Sequence, residues 1–221
     1  MKSYLLLVAL ILSAAMTSGQ QNPVAVDEEP HHHVLFRNEF VIVIRATLQR
    51  GEATLYHVHA HDSADIELVS STTTEQLLGK AEGSPDTSHA GDVSAESLKE
   101  PITHRVRNVG SGPMDIFHVE FLQRPAQASS QAAARVSAEN TSARIYNWVI
   151  APGASTAMHS HERPYLMIAA TPMRLKMTAP DGRSLSEEVK PVDFHWIDSK
   201  ITHTLVNDGV AQGQIVEIEL K

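Results

Sequence analysis

The sequence contains no cysteine among its 221 residues. This absence excludes a disulfide framework, a thiol nucleophile, a cysteine-ligated iron–sulfur cluster and a lipoprotein cysteine. The hydrophobic fraction of 42% is ordinary for a globular protein, and the length suits one large domain or two smaller ones. Apolar burial therefore has to stabilise the fold without covalent cross-links.

Basic residues are also scarce. Lys and Arg total 18 against 26 Asp and Glu, which gives a formal net charge of −8, and the sequence has no basic cluster. This balance argues against nucleic acid or an anionic membrane as a partner. The GxSxG elbow, the phosphate-cradling glycine loop and the HExxH pair are absent from the sequence too. Serine hydrolase, nucleotide-binding and zincin functions are therefore excluded.

Long apolar runs are missing except at the N-terminus. Residues 4–12 form an apolar run that follows Lys2 and is too short to span a bilayer. Small residues then lead to Gly19, so the sequence predicts a signal peptide at 1–19 and a soluble protein that is exported, either periplasmic or secreted. An uncleaved N-terminal anchor is the alternative. No membrane association is expected after cleavage.

Histidine is the residue in excess, with 13 in the chain. A run of three, residues 31–33, leads directly into a strand-like segment, so we interpret it as native sequence at the rim of the fold rather than as a cloning tag. Most of the other histidines belong to a pattern that occurs twice.

The two halves of the chain repeat one another in order. The segment GEATLYHVH begins at Gly51 and GASTAMHSH begins at Gly153, so a glycine, five residues and an HxH pair recur 102 residues apart. The segments ITHRVRNVG and ITHTLVNDG recur 99 residues apart, each with a histidine and an asparagine four residues later. The tails HVEF and VEIEL also match, with Glu120 opposite Glu219. Two copies of one unit are therefore predicted.

The predicted organisation follows from this duplication. It comprises a signal peptide at 1–19, an N-terminal segment at 20–32, repeat one at 33–123, a small polar linker at 124–134 and repeat two at 135–221. Within each repeat, short β-branched and aromatic runs alternate with Gly, Pro and Asp turn signals, which favours an all-β sandwich or barrel. Residues 70–99 are ambiguous, and their composition indicates long loops or a short helix at 75–79.

The histidine pairs have the spacing of a metal site carried on a strand. Alternate residues of a strand share a face, so both histidines of each HxH pair point the same way. A third imidazole from a neighbouring strand would complete a site that suits Zn, Cu, Fe or Ni and leaves positions open for water or substrate. The predicted ligands are His57, His59 and His104 in repeat one, and His159, His161 and His203 in repeat two.

These residues resemble the two motifs of the cupin superfamily, roughly G(X)5HXH(X)3–4E(X)6G and G(X)5PXG(X)2H(X)3N. The matching residues are Gly51, His57, His59, His104 and Asn108 in repeat one, and Gly153, His159, His161, His203 and Asn207 in repeat two. The resemblance covers nearly the whole chain after residue 19. It implies a bicupin, which is two tandem double-stranded β-helix (jelly-roll) barrels, each binding a divalent metal (Fe, Mn, Zn, Ni or Cu).

Both repeats depart from the family pattern at its glutamate. Ser63 and Ala64 stand at that place in repeat one, and Tyr165 and Leu166 in repeat two. The sites therefore resemble the three-histidine subset of the family, some of which are Fe(II) dioxygenases of small organic molecules. Tyr165 is expected to be either a polar group behind the metal ligands or an ordinary aromatic of the barrel lining.

The remaining polar residues receive plainer interpretations. Asn108 and Asn207 are expected to cap a turn after the strand. Glu120 and Glu219 are expected on a solvated sheet face. His118 is expected at the surface or a sheet edge.

A few residues close to the motifs stay ambiguous. His61 is expected at the barrel rim or as a fourth donor. Asp62, Asp65 and Glu162 lie near the HxH pairs but outside the family pattern.

Two functions remain open on this basis. The first is a metal-dependent oxygenase or isomerase of a small organic substrate, with the histidines as ligands and the catalytic residues unknown. The second is a non-catalytic bicupin that binds a small molecule or a metal, or has a structural role, its histidines then serving packing and hydrogen bonding. The family resemblance adds the expectation of a homodimer formed through sheet edges.

Overall fold

The computed structural model describes residues 22–125, 134–198 and 200–221, and builds them almost wholly from β-strands. The predicted signal peptide and most of the predicted linker lie outside the described residues. Within the described ranges, no helix has the length and apolar character needed to cross a membrane. The helix expected at 75–79 is wrong, because Ser71–Leu77 is a strand in which three consecutive threonines favour extended backbone.

Repeat one, together with the N-terminal segment 20–32 that supplies its first strand, consists of two five-stranded sheets, apart from one turn of 3-10 helix at Val26–Glu28. Its strands are β1 (Val24–Ala25), β2 (His32–Arg37), β3 (Val41–Leu48), β4 (His57–His59), β5 (Ser63–Glu67), β6 (Ser71–Leu77), β7 (Asp86–Ser88), β8 (Val93–Glu96), β9 (Ile102–Asn108) and β10 (Met114–Phe121). The order β1-β4-β9-β6-β7 forms the sheet that we name the histidine sheet. The order β2-β3-β10-β5-β8 forms the sheet that we name the interface sheet.

Repeat two has the same plan with a shorter histidine sheet. Its strands are β11 (Ala138–Glu139), β12 (Ala143–Ile150), β13 (His159–His161), β14 (Tyr165–Ala169), β15 (Met173–Thr178), β16 (Ser184–Val189), β17 (Phe194–Ile197), β18 (Ile201–Asn207) and β19 (Gly213–Leu220). The histidine sheet runs β13-β18-β15-β16 and the interface sheet β11-β12-β19-β14-β17. The all-β prediction of two jelly-roll units is confirmed.

Strand pairing brings the histidines of each motif together. In the antiparallel pair β4–β9, His57 lies directly opposite His104, and in β13–β18, His159 lies opposite His203. The turn that leads to each HxH strand contains a glycine with positive φ, 85° at Gly51 and 72° at Gly153, which an L side chain rarely adopts. The motif glycine therefore sets the approach of the strand that carries the ligands.

The asparagine of the second motif holds the turn after the third histidine. Nδ2 of Asn108 donates to the backbone oxygens of Leu48 and Gly112, and its Oδ1 accepts from the Gly110 N–H. Asn207 makes the corresponding three bonds in repeat two. The expectation that these asparagines cap a turn is confirmed.

The two repeats share one apolar core. The outer faces of the two interface sheets pack together, so Phe117 and Val119 of β10 belong to the same buried cluster as Val216 and Ile218 of β19. The alternate residues of β10 and β19 face the interior of their own repeat. Both faces of each terminal strand are therefore buried.

This packing overturns one expectation about the acidic residues. Glu120 and Glu219 are 1% and 3% exposed, so their placement on a solvated sheet face was wrong. Polar and apolar residues alternate along the C-terminal parts of these strands, and the polar side faces the interior of a repeat because the opposite side packs against the other repeat.

Candidate metal centres

The three predicted ligands of repeat one converge at one point between β4 and β9. One ring nitrogen from each of His57, His59 and His104 lies within 4.8 Å of the other two. The Nε2 atoms of His57 and His104 are 3.1 Å apart. His57 and His59 are buried and His104 is partly buried.

Hydrogen bonds at Nδ1 fix the orientation of each ring. His57 Nδ1 lies 3.0 Å from the backbone oxygen of Leu55, and His59 Nδ1 lies 2.9 Å from Oε1 of Glu120. His104 Nδ1 is hydrogen-bonded to the carboxylate of Glu75. A carbonyl oxygen or an ionised carboxylate can only accept a hydrogen bond, so each Nδ1 carries the proton.

With Nδ1 protonated, the Nε2 lone pairs of these histidines are free to bind a cation. In the neutral imidazole with Nδ1 protonated, Nε2 presents a lone pair, and here the lone pairs of His57 and His104 face one another. Such an arrangement is repulsive unless a proton or a metal ion lies between the nitrogens. Metal-ligating histidines characteristically donate their other N–H to a carboxylate or a carbonyl. The residues of repeat one therefore fit a divalent metal.

The protonation equilibrium of these rings agrees with that fit. Burial lowers the pKa of His57 to about 3 and also lowers the pKa of His59. Metal binding requires neutral imidazole, and burial favours that form of both rings.

Repeat two brings together four donors instead of three. The ligand atoms of His159, His161, His203 and Glu217 lie within 4.8 Å of one another, and all four residues are buried. Oε2 of Glu217 lies 3.1 Å from Nε2 of His159 and 3.3 Å from that of His161, and Oε1 lies 3.1 Å from Nε2 of His203. Ligands about 2.1 Å from one ion stand about 3.0–3.4 Å apart in octahedral or tetrahedral geometry.

Unused hydrogen-bonding positions support a metal in repeat two as well. Both ring nitrogens of His161 and of His203, and Oε1 of Glu217, are buried without a hydrogen-bond partner among the described residues. His159 donates its Nδ1–H to the Ala157 carbonyl at 2.9 Å, which leaves its Nε2 lone pair facing a carboxylate oxygen. A cation at the centre satisfies all of these atoms at once.

Glu217 is the candidate ligand that the sequence pattern missed. The second site was expected to be an all-histidine shell, but the last strand supplies a carboxylate from outside the family's motifs. Despite its burial, contacts with the three histidines hold the pKa of Glu217 well below its ordinary value. The available signal was an acidic residue between the buried Val216 and Ile218 of the terminal strand.

His118 occupies in repeat one the place that Glu217 occupies in repeat two. It is 5% exposed, so its expected position at the surface or a sheet edge was wrong. Its Nδ1 lies 2.7 Å from the Asp65 carboxylate, and although burial opposes the charge, Asp65 and Glu120 raise the pKa of His118 to about 10. The matched tails HVEF and VEIEL already placed His118 in register with Glu217.

The interior of repeat one is a cavity of about 720 Å³ that is open to solvent. His57, His59 and His104 form part of its wall, and His32, from the triple-histidine run, lines it next to His57 with the two ring centroids 4.8 Å apart. The rest of the wall is mainly polar and includes Asp65.

Large side chains fill the corresponding space in repeat two. At an offset of 102 residues, Ile44, Ala46, Ser63 and Asp65 are replaced by Tyr146, Trp148, Tyr165 and Met167. Tyr165 is fully buried and stacks on His161 with ring centroids 4.0 Å apart, which places an aromatic where the family has its glutamate. A smaller pocket of about 240 Å³ includes His203. One site is therefore open and the other closed.

The other residues noted in the sequence lie outside these clusters. His61 is partly exposed and belongs to neither histidine group among the described residues. Asp62 accepts hydrogen bonds from Thr141 and Ser142 across the junction of the repeats. Glu162 pairs with Lys200 at the surface.

Comparison with known proteins identifies the fold. No family model matches the sequence. The beta-alanine degradation protein BauB of Pseudomonas aeruginosa is 26% identical over 91 residues, which are 41% of this chain and 95% of that protein. AerE from Microcystis aeruginosa superposes with a TM-score of 0.61 at 14% identity, over 90% of this chain and 98% of AerE. A cupin 2 conserved barrel domain protein from Leptotrichia buccalis superposes with a TM-score of 0.52 at 9% identity, over 86% and 88%. The chain has the cupin fold in a two-domain arrangement, as the motifs implied.

Proposed function

We propose that this protein is an exported metal-dependent enzyme that acts on a small polar organic molecule in the cavity of repeat one. The observation that carries the proposal is the convergence of one ring nitrogen from each of three histidines on the wall of an open cavity of about 720 Å³. A divalent metal bound there supplies a Lewis acid with open coordination positions, suited to an oxygenase or an isomerase.

Residues behind the ligands position them. Glu75 and Glu120 hold the rings of His104 and His59 through Nδ1, so each Nε2 is directed at the common point. The Asp65–His118 pair adds a polar group on the same cavity wall, where a substrate oxygen or hydroxyl can reach it.

Repeat two is proposed to hold a metal for stability rather than for turnover. Its four donors are buried, and Tyr146, Trp148 and Tyr165 occupy the volume that a substrate would need. A metal that binds the folded state alone stabilises it by mass action.

Metal stoichiometry tests the proposal. After chelator treatment and reloading with Zn²⁺, Mn²⁺, Fe²⁺, Ni²⁺ or Cu²⁺ in turn, elemental analysis should give two equivalents per chain for the wild type. We expect one equivalent for His104→Ala and one for His203→Ala. His61→Ala, which removes a nearby histidine outside both clusters, should retain two. A wild-type chain that retains none of these metals would overturn the proposal.

Cavity filling tests where the substrate binds. Ala46→Trp introduces the residue that repeat two has at the matching position, Trp148, and should abolish binding and turnover of small molecules while two metals remain bound. Oxygen uptake and product formation would be measured on diketones, thiols, phenolic acids and β-alanine, the last because of the name of the curated relative. Tight binding without turnover of any compound would favour a binding protein over an enzyme.

Export is proposed from the composition of residues 1–19. Mass spectrometry of the chain expressed in a bacterium with its native N-terminus should show a protein that begins at Gln20. Full-length protein retained in the membrane fraction would favour the uncleaved anchor.

A further inference from the structure

One oxygen of a carboxylate in the wall of the repeat-one cavity lacks a hydrogen-bond partner, although Ser88 is hydrogen-bonded to the same carboxylate. Oε2 of Glu67 is shielded from solvent and makes no hydrogen bond within the described residues. Burial raises the pKa of Glu67 to about 7, with a further contribution from the nearby carboxylates of Asp65 and Asp92, which reflects the cost of holding the charged form there. A ligand that brings a positively charged group would offset this cost.

A second polar atom on the same wall is also unused. Nε2 of His118 is buried without a hydrogen-bond partner among the described residues, and the nearest Glu120 oxygen lies 3.8 Å away. The opposite nitrogen of this ring is already bonded to Asp65. Two residues that line the cavity, Glu67 and His118, therefore each have a polar atom without a hydrogen-bond partner among the described residues.

Strand register fixes the spacing of these two positions. In the β5–β10 pair, His118 lies opposite Asp65, and Ile116 lies opposite Glu67. Glu67 is thus two residues farther along the same face, about 7 Å from the His118 row. His59 contacts His118 with ring centroids 5.0 Å apart, so the His118 row is the one nearer the metal ligands.

The charge of the cavity wall favours a cation. Its acidic side chains are Asp65, Glu67, Glu75, Asp86 and Glu96, whereas the cations of the described lining are Lys80 and His118, whose pKa is raised to about 10. Carboxylates that line a cleft concentrate positively charged ligands within it.

We propose that this cavity selects a small molecule with a primary ammonium group at one end and an oxygen ligand at the other. The ammonium group binds Glu67, and the oxygen end binds at the histidines. This inference rests on the proposed function, because the oxygen end is assigned to the same three-histidine site.

Matched ligands separate the ammonium contribution from the rest. Calorimetric titrations of the metal-loaded protein would use ω-amino carboxylates of three to five carbons and the ω-hydroxy carboxylates of equal length. We expect the amino compounds to bind at least tenfold more tightly. Glu67→Gln, which keeps the side-chain shape, should abolish that preference and leave binding of the hydroxy compounds within twofold. Asp86→Asn, at an exposed carboxylate of the same cavity, should keep the preference.

Metal content, measured on every variant, separates the two proposals. Three results would overturn the ammonium inference: equal binding of amino and hydroxy compounds, no binding of either, or an unchanged preference in Glu67→Gln. In each case, metal bound at the histidines would leave the proposed function intact. If the histidines take up no metal, the proposed function fails, and the same titrations on metal-free protein decide the ammonium inference. In metal-free protein, a preference for amino compounds that depends on Glu67 would support the ammonium inference, and the absence of such a preference would overturn it.

Discussion

Asn140 joins the two repeats, and its substitution should destabilise the protein more than substitution of its counterpart Asn38. Nδ2 of Asn140 donates to the backbone oxygens of Ser63 at 2.8 Å and Glu96 at 2.9 Å, both in repeat one. Its Oδ1 accepts two local backbone N–H groups at the start of β12. Asn38 lies 102 residues earlier, and within the described residues it accepts only the two matching local N–H groups before and at the start of β3.

The magnitude follows from this count of bonds. A hydrogen bond contributes about 1 kcal/mol net to stability, so Asn140→Ala should lower the free energy of unfolding by about 4 kcal/mol and Asn38→Ala by about 2 kcal/mol. The difference of about 2 kcal/mol is the contribution of the bonds that cross between the repeats.

Urea denaturation of the metal-loaded protein provides the assay. Far-UV circular dichroism reports both repeats, whereas tryptophan fluorescence reports repeat two, because Trp148 and Trp196 both lie there. The shared core predicts coincident transitions in the wild type. Equal destabilisation by the two alanine variants would refute the reasoning, since the inter-repeat bonds would then contribute nothing.

Two further predictions concern the histidine clusters. Glu217→Gln keeps the shape of the fourth donor but removes its charge, so the metal affinity of repeat two should fall by about 10–100-fold while that of repeat one is unaffected. Chelator competition measures both affinities, and an unchanged affinity in repeat two would contradict the role of Glu217 as a ligand. For metal-free protein, burial holds the pKa of His57 at about 3 and that of His32 at about 4. Both values lie below the ordinary 6.5, so the unfolded chain binds more protons and stability falls as pH drops from 6.5 towards 4, by up to about 2 kcal/mol per histidine at pH 5. Urea titrations at pH 6.5 and 5.0 measure this loss, and equal stability at the two values would contradict it.

The sequence was sufficient to predict the fold and the six histidines because both depend on local spacing that the duplication repeats. One strand carries the HxH pair and a later strand carries the third histidine. Three imidazoles meet wherever a jelly roll pairs these two strands, as it pairs β4 with β9 and β13 with β18. The burial of Glu217 and His118 could not be predicted in this way. A strand with alternating polarity shows which residues share a face, but not what covers that face, and here a second repeat covers the side that solvent would otherwise cover.

The cavity was unpredictable for a related reason. It depends on the summed volume of side chains that meet only after the sheets close. Ala46 and Trp148 occupy equivalent places, and the difference between them is visible in the sequence. The effect of this difference on the cavity can be inferred only once the structure shows that both positions point into the barrel near the histidines, and not into the core shared by the repeats.

The exchange of His118 for Glu217 at one position of the last strand assigns different chemistry to the two sites. Three neutral imidazoles leave a divalent ion with its full charge, whereas the Glu217 carboxylate cancels part of that charge and binds the ion more tightly. The more electrophilic ion is therefore expected in repeat one, where the cavity admits a substrate. The more firmly held ion is expected in repeat two, where Tyr165 and Trp148 exclude one. Because the fold is the same in both repeats, this division arises from side chains on the inner faces alone, and exchanging those side chains should exchange the roles of the two sites.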